Sequence, residues 1–385
     1  MKLLFASDSF KGSLTSEKTI ELLSKAARDV FGECEIIGLP IADGGEGTVD
    51  AVIEAECGHK ISIPVHDPLM RIVNASYGVF DGAKAIIEMS AASGLPLVPE
   101  EMRDPRKTTS YGTGEMIRHA LESGYRDIYI AIGGSATNDG GMGCARALGV
   151  RFIDDQGVEL EGRGCDLCRV ARIDAGNIDP RLKDSQITVM CDVTNPLCGE
   201  NGATYTFGKQ KGATPEIEAE LEVGMRHYRD VIEREFGIDC DTIRGGGAAG
   251  GLGSALSVFF NGEMRSGIET VLDLIHFDER LEGVNLVVTG EGRTDWQSCF
   301  GKVMQGVGTH AKKKQIPAVG LSGSLGKNAM DICNYGIRSL ITSVNAPMSL
   351  SDAIHQAEAL YYEAAIRMFR FIQIGIEMGQ ASACQ

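Results

Sequence analysis

The chain has 385 residues, of which 43% are hydrophobic and 23% charged, and its formal net charge at pH 7 is −16. This length and composition suit a globular protein of two or three domains. The acidic balance argues against nucleic acid and anionic membranes as main partners, because both bind basic faces. An anionic small molecule stays open, since a few local cations suffice to bind one.

The cysteines and the apolar runs indicate the compartment. The eleven cysteines are scattered singly apart from Cys165 and Cys168, and no second pair of matching spacing completes a zinc site. Met1 and Lys2 lead straight into a strand-like segment, which predicts no secretion signal, and no apolar run reaches the ~20 residues of a membrane helix. We therefore predict a cytoplasmic protein with free thiols.

Strands and helices alternate at the start of the chain. The apolar periodicity predicts strands over residues 2–7 and 35–39 and helices over 16–30 and 48–55. A polar loop at the carboxyl end of a parallel strand is a usual place for a site in an α/β sheet. Lys11 and Ser13 in the first loop suit an anion, although a solvated loop lysine is an alternative.

The second loop carries Asp43 and Glu46 among three glycines. Carboxylates at the start of a helix are often simple capping residues. The glycines free the backbone, however, so that both carboxylates can turn toward one point. This arrangement suits Mg²⁺, or a base that accepts a hydroxyl proton.

The periodicity changes after residue 60. Alternating residues predict strands over 60–65, 71–80 and 84–89, and Asp81-Gly82 is a hairpin turn signal. A meander of this kind is not a βα repeat, so a second domain is predicted to begin near residue 62. A glycine- and hydroxyl-rich loop over 107–115 then leads into a helix over 115–122.

A strand over 128–132, a glycine loop over 133–141 and a helix over 142–148 have the layout of an anion cradle. Asp139 repels phosphate, so capping or metal binding suits it better. The alternative is a tight turn without a ligand, and the loop matches neither the Walker nor the dinucleotide pattern. The candidate phosphate-binding residues are Gly133, Gly134, Ser135, Thr137, Asn138 and Gly140.

The next strand, over 186–191, ends in Asp192, which is placed to be a base or a metal ligand. A turn-forming Asp before Asn195-Pro196 is the alternative. Residues 199–212 look like a loop, and 216–236 form a charged amphipathic helix. The glycine-dense run over 245–253 carries no reactive group.

The C-terminal part returns to βα units. Glu291 and Asp295 follow a strand over 286–289, and Lys302 begins a helix that runs to residue 314. Further strands over 317–321 and 339–344 and a closing helix over 351–374 complete the pattern. The simplest architecture is a discontinuous α/β fold, with residues 1–62 and 284–385 in one parallel-sheet domain and 63–283 inserted as a second α/β domain.

Several of these loops together resemble the bacterial type of glycerate kinase. The matching runs cover nearly the whole chain in the same order and begin at residues 8, 42, 108, 132, 191, 246 and 287: DSFKGSL, ADGGEGT, TTSYGTGE, IGGSATNDGG, CDVTNPLCG, GGAAGGLG and VVTGEG. The resemblance implies a Rossmann-like or flavodoxin-like outer domain with an inserted α/β domain. It also implies phosphorylation of D-glycerate by ATP with Mg²⁺, usually at the 2-hydroxyl.

The chain departs from the family pattern at a few positions. Lys209 stands where proline is usual, Thr294 where an aliphatic residue is commoner, and Ser298 in place of threonine. Met304 stands where the family usually has proline. None of these departures removes a charged group.

The resemblance lets roles be assigned as expectations. Asp192 is our first choice for the base and Asp43 the second, while Lys11, with Arg71 or Lys302, would pair with the glycerate carboxylate or the transferring phosphate. Ser13 joins this anion site. The glycine loop would bind the phosphates of ATP, and the candidate Mg²⁺ ligands are Asp43, Glu46, Glu291 and Asp295.

Two other functions fit parts of the pattern. A dehydrogenase would use the glycine loops for a dinucleotide, but the chain lacks GxGxxG after its first strand. A non-catalytic sensor of a small acid would leave the paired acidic loops without a role. The sequence is compatible with a homodimer, and it leaves open 2- versus 3-phosphoglycerate, other hydroxy acids and the domain that holds adenine.

Overall fold

A computed structural model describes residues 1–383 of the chain. None of the helices in this part combines the length and the apolar composition that crossing a bilayer needs. The strands are β1 Lys2–Phe5, β2 Glu35–Gly38, β3 His59–His66, β4 Ile72–Phe80, β5 Lys84–Glu88, β6 Asp127–Ala131, β7 Arg151–Ile153, β8 Arg172–Asp174, β9 Gln186–Met190, β10 Glu263–Arg265, β11 Leu286–Thr289, β12 Arg293–Thr294, β13 Ala318–Ser322, β14 Ser324–Leu325 and β15 Ile337–Thr342.

Helices follow most of the strands. The α-helices are α1 Ser16–Phe31, α2 Thr48–Ala55, α3 Ser90–Ser93, α4 Tyr111–Glu122, α5 Met142–Ala147, α6 Ala203–Phe207, α7 Pro215–Phe236, α8 Ala248–Phe260, α9 Gly267–Leu274, α10 Phe277–Arg280, α11 Val303–Lys313, α12 Leu350–His355 and α13 Ala357–Ala383. Short 3₁₀ helices cover Leu95–Leu97, Glu100–Met102, Gly164–Arg169, Pro180–Asp184, Lys209–Lys211, Cys240–Thr242, Trp296–Cys299 and Ala329–Tyr335.

The backbone divides into two compact units. The first unit contains Met1–Asp43, Asp50–Ala55 and the described residues from Ile268 onward, and the second contains Gly44–Val49 and Glu56–Gly267. Both ends of the chain thus belong to the first unit. The prediction of an α/β fold with parallel sheets is confirmed, while the domain limits at 62/63 and 283/284 stay predictions.

The first unit is built on a five-stranded sheet in the order β15-β13-β11-β1-β2, and all its strand pairs are parallel. The central strands are apolar on both faces because helices cover both sides of such a sheet. Leu3, Phe5 and Val288 are buried in a core that also takes Tyr361 and Phe369 from α13. Because every strand runs the same way, all five carboxyl ends lie at one edge.

The second unit has a six-stranded sheet in the order β10-β9-β6-β5-β4-β3. The strands β3, β4 and β5 form the expected antiparallel meander, and β5, β6, β9 and β10 are parallel. Its core is separate and contains Ile130, Met225 and Tyr228 among many others. The loops after β6, β9 and β10 therefore share one edge.

Two local predictions were wrong. Helix α4 begins at Tyr111, four residues before the predicted start, and includes two of the glycines that had indicated a loop. A Cβ on Gly112 would lie 1.9 Å from the His66 carbonyl oxygen, so close packing requires glycine there despite its low helix propensity. The segment 199–212 contains helix α6, because Ala203 and Thr204 are fully buried.

The glycine-dense run at the start of α8 packs on the backbone of the glycine loop. Gly250 has a φ of +66°, and a Cβ there would lie 2.1 Å from the Thr137 carbonyl oxygen. No side chain other than hydrogen fits this position without moving the glycine loop.

We therefore expect Gly250→Ala to lower the free energy of unfolding by at least about 3 kcal/mol, measured by urea denaturation. Gly237 is the matched control, because its φ is +70° but a Cβ there meets nothing within 4 Å. Gly237→Ala should cost only the backbone strain, about 1–2 kcal/mol. Equal losses in the two variants would contradict the packing argument.

Candidate active site

The carboxyl edge of the first sheet encloses a cavity of about 500 Å³. Asp8 follows β1, Asp43 lies beyond β2 and Glu291 follows β11, so three carboxylates of one unit come from three parallel strands. The break in strand order beside β1 is where α/β sheets usually bind ligands. Five of the predicted site residues line this cavity: Lys11, Ser13, Asp43, Glu291 and Lys302.

Asp8 lines the same cavity and was not among the predicted site residues. Burial, and next the nearby Asp43 carboxylate, raise the pKa of Asp8 to about 7, while Lys11 opposes the shift. Its Oδ1 accepts a hydrogen bond from the Ser9 backbone N–H at 2.7 Å. An acid with a pKa near neutrality can accept and release a proton at working pH. Its position after the first strand and its place at the start of the DSFKGSL run were the sequence signals that could have identified it.

Glu291 is only 6% exposed. Burial raises the pKa of this carboxyl, while Ser298, Lys302 and Thr294 act in the opposite direction. The Lys302 ammonium lies 3.9 Å from Oε2 and the Thr294 hydroxyl lies 3.2 Å from Oε1. The surroundings thus supply one cation and hydroxyl donors to the charged form of Glu291.

The other two predicted metal ligands, Glu46 and Asp295, are not among the residues that line this cavity. Asp295 caps the 3₁₀ helix Trp296–Cys299, with its Oδ1 accepting the Gln297 N–H at 2.9 Å. It is not among the residues that line the cavity. Glu46 is exposed and belongs to the second unit. The structure therefore does not gather the four predicted ligands within one unit.

Within residues 1–383, no group of three or more His, Cys, Asp or Glu side chains is placed to hold a metal ion. Mg²⁺ does not require such a group, because it usually keeps several waters and takes one or two carboxylates together with substrate phosphates. Asp43 and Glu291 offer hard oxygen donors in one cavity, where burial and, next, the Asp43 carboxylate raise the pKa of Asp8. These residues fit Mg²⁺ bound together with a nucleotide.

The predicted phosphate loop divides into an exposed and a buried half. Gly133 and Gly134 follow β6 and are exposed, whereas Ser135 through Gly140 are buried. Asn138 donates to the Thr204 hydroxyl at 3.2 Å inside the second unit. Only the first half thus presents backbone N–H groups at the surface of this unit.

Asp139 and Lys211 shape the buried half. The Asp139 carboxylate accepts the Ser110 N–H at 2.7 Å and the Gly141 N–H at 3.0 Å, so it caps the turn into α5. The Lys211 ammonium donates to the Thr137 carbonyl oxygen at 2.6 Å, and burial lowers the pKa of Lys211 to about 7. No local sequence pattern indicates that this lysine is buried.

Asp192 lies after β9 at the same edge of the second sheet. Its Oδ1 accepts the Ser266 hydroxyl at 2.8 Å and the Gly267 N–H at 3.0 Å. Two glycine contacts bring further loops to this edge: a Cβ on Gly44 would lie 3.1 Å from the Gly267 Cα, and a Cβ on Gly133 would lie 3.2 Å from the Gly45 Cα.

Arg71 lies in the turn between β3 and β4, at the far end of the same edge. Its Nε donates to the buried Asp67 at 2.6 Å, and its guanidinium also donates to the Leu97 carbonyl at 2.8 Å. The side chain thus has fixed partners within the second unit. It is not among the residues that line the cavity of the first unit.

Parallel sheets whose carboxyl edges carry acidic groups and glycine turns are typical of α/β enzymes that bind small anionic ligands. The family model described as "Glycerate kinase family" matches residues 3–373. Glycerate 2-kinase of Escherichia coli K12 is 44% identical over 384 residues, which is 100% of both chains. Glycerate kinase of Bacillus subtilis 168 is 41% identical over 368 residues, or 95% of this chain and 96% of the relative.

The same relationship appears in three dimensions. A crystal structure described as glycerate kinase 2 from Salmonella typhimurium LT2 superposes with a TM-score of 0.87 at 42% identity, and the match covers 98% of this chain and 99% of that one. The chain belongs to the glycerate kinase family, as its motifs had indicated.

The raised pKa of Asp8 gives a pH-dependent stability. Because the pKa in the fold is about 7 against an ordinary value of 3.8, ionising Asp8 destabilises the folded state progressively between these two pH values. The free energy of unfolding of Asp8→Asn should therefore increase relative to that of the parent as pH rises. This difference between the two proteins should become constant above about pH 7.

Urea denaturation from about pH 5 to about pH 8 measures this difference. The control is Glu33→Gln, since Glu33 is an exposed carboxylate of the same unit. A gain for Asp8→Asn that does not grow with pH, or one that Glu33→Gln shares, would rule out the buried charge as its cause.

Proposed function

We propose that the chain transfers the γ-phosphoryl group of ATP to the 2-hydroxyl of D-glycerate, giving ADP and 2-phosphoglycerate. The observation that carries this proposal is the full-length match to relatives named glycerate kinase and glycerate 2-kinase. The cavity of the first unit supports it, because the cavity combines two lysines for an anion with carboxylates for a hydroxyl proton and a cation.

Phosphoryl transfer requires no covalent bond between the protein and the substrates. The glycerate hydroxyl oxygen attacks the γ-phosphorus, the bond from that phosphorus to the oxygen of ADP breaks, and the hydroxyl proton goes to a base. Catalysis then comes from positioning and from the neutralisation of phosphate charge. Each of these tasks has candidate residues in this chain.

For the base we propose Asp8, ahead of the Asp192 and Asp43 predicted from the sequence. A carboxylate with a pKa of about 7 accepts a proton at neutral pH more readily than an ordinary one does. The Asp192 oxygen is already engaged within the second unit, where it accepts hydrogen bonds from the Ser266 hydroxyl and the Gly267 N–H.

For the glycerate carboxylate we propose Lys11 and Lys302, with Ser13 as a hydroxyl partner, since all three line one cavity. Lys11 would also balance charge on the transferring phosphate. Arg71 is the weaker candidate, because Asp67 and the Leu97 carbonyl already hold its guanidinium.

For the ATP phosphates we propose the backbone N–H groups at Gly133 and Gly134, where the predicted loop is exposed. Ser135, Thr137, Asn138 and Gly140 then act by shaping the loop rather than by touching phosphate. Asp43 and Glu291 are the proposed Mg²⁺ ligands, ahead of Glu46 and Asp295. When bound, Mg²⁺ would supply positive charge that offsets the charge of the transferring phosphate.

We also propose a cytoplasmic location. Ten cysteines in the described part of the chain are free, including the exposed Cys165 and Cys168. Free exposed thiols suit a reducing compartment. The homodimer stays a prediction.

The function is tested by following ADP release with ATP and Mg²⁺, with and without D-glycerate. We expect ADP to form only with D-glycerate, and NMR of the product to show phosphorus coupled to the C2 proton. A product phosphorylated at C3 would overturn the regiochemistry. ADP release that is indifferent to D-glycerate would overturn the proposed function.

The base is tested by comparing Asp8→Asn and Asp192→Asn. If Asp8 accepts the proton, Asp8→Asn should lower kcat by at least about 100-fold and change KM for glycerate by less than about threefold. Asp192→Asn should lower kcat much less. The reverse order would return the role to Asp192, and Glu33→Gln serves again as the control.

A further inference from the structure

Two hydroxyl groups form a buried pair behind Glu291. Thr294 in β12 and Ser322 at the end of β13 are both 0% exposed, and their hydroxyl oxygens lie 2.6 Å apart. The Thr294 oxygen also lies 3.2 Å from Glu291 Oε1 and 3.1 Å from Met304 Sδ. Polar groups buried this deeply cost stability unless each has a partner.

The number of hydroxyl protons and acceptors decides which of the two hydroxyls donates the hydrogen bond to the other. Each hydroxyl donates one hydrogen bond and accepts two, while an ionised carboxylate only accepts and a thioether sulfur accepts weakly. With Glu291 ionised, both protons reach a strong acceptor in one arrangement only: Ser322 donates to Thr294, and Thr294 donates to Glu291. Because the Thr294 oxygen accepts the hydrogen bond from Ser322, the O–H of Thr294 is left to point at the Glu291 carboxylate.

We propose that Thr294, oriented by Ser322, is a positioning residue that holds the Glu291 carboxylate toward the cavity for the divalent cation. This inference rests on the proposed role of Glu291 as a Mg²⁺ ligand. In the family pattern an aliphatic residue is commoner at position 294, and such a residue supplies no donor. Thr294 therefore supplies a donor that an aliphatic residue at this position would lack.

The alternative is a purely structural role, in which the hydrogen bonds from Ser322 to Thr294 and from Thr294 to Glu291 only satisfy buried polar groups. The two roles differ in what happens to the cation. A positioning donor changes the affinity for the metal, whereas a structural one changes only the stability of the fold. The experiment therefore measures metal binding directly as well as turnover.

The test variant is Thr294→Val, which removes the hydroxyl at nearly constant volume. Mn²⁺ binding in the presence of ADP, followed by electron paramagnetic resonance, should weaken about tenfold, the equivalent of one hydrogen bond to a charged group. The Mg²⁺ concentration for half-maximal activity should rise by the same factor. Activity at saturating Mg²⁺ should fall by less than about threefold.

Thr294→Ser keeps the donor and should restore Mn²⁺ binding to within about twofold of the parent. The matched control is Thr289→Val. Thr289 is also 0% exposed, lies two positions before Glu291, and its hydroxyl has no hydrogen-bond partner within the described chain. Thr289→Val should leave Mn²⁺ binding and the Mg²⁺ requirement unchanged.

Glu291→Gln separates this inference from the proposed function on which it rests. If Glu291→Gln weakens Mn²⁺ binding and Thr294→Val does not, the positioning role is wrong while the role of Glu291 stands. If Glu291→Gln leaves Mn²⁺ binding unchanged, the metal role of Glu291 fails and the positioning role fails with it.

Ser322→Ala covers the case in which Thr294→Val does not fold. This variant removes only the orienting donor, so Mn²⁺ binding should weaken by about two- to threefold. Combined with Thr294→Ser it should weaken binding no further. Parent-like binding in Ser322→Ala would overturn the orienting role of Ser322, and with Thr294→Val unfolded it would overturn the proposal.

Discussion

Repulsion among carboxylates at one sheet edge is the constraint on which the site depends. Parallel strands put Asp8, Asp43 and Glu291 around a single cavity, and burial beside like charges raises the pKa of Asp8 to about 7. Such an arrangement costs stability unless cations offset it. Lys11 and Lys302 provide part of that offset, and a divalent cation with an anionic substrate would provide the rest. Burial and, next, this repulsion together raise the pKa of Asp8 in a cavity that suits a bound cation.

The second unit contains two buried charged side chains, Asp139 and Lys211, beneath its glycine loop. Asp139 is fully buried, yet Ser110, Gly141 and Gly143 all donate hydrogen bonds to it. Lys211 is buried nearby and donates to the carbonyl of Thr137. These contacts fix the course of the glycine loop from inside. The exposed Gly133 and Gly134 are thereby positioned by the buried half of the loop.

The residues that line the cavity differ from the hydroxyl pair behind it in what the sequence motifs say about them. The carboxylates that line it, and Lys11, belong to motifs that indicated the family. The hydroxyl pair behind Glu291 lies outside those motifs, and Thr294 contacts both Glu291 and Met304. Thr294 thus places a hydrogen-bond donor at a buried position, in direct contact with a cavity-lining carboxylate.

Local pattern was enough for much of this protein. Alternating and helical periodicity predicted α2 and β11 with the bounds observed, and unusual loop motifs indicated the family, because both depend on neighbours in sequence. Tertiary packing decided the rest. Only the fold shows that Asp8 lies half-buried beside other acids, that Thr137 and Asn138 lie inside, and that Gly112 belongs in a helix. Burial and the distance between charges arise from segments far apart in the chain, so no local pattern carries them.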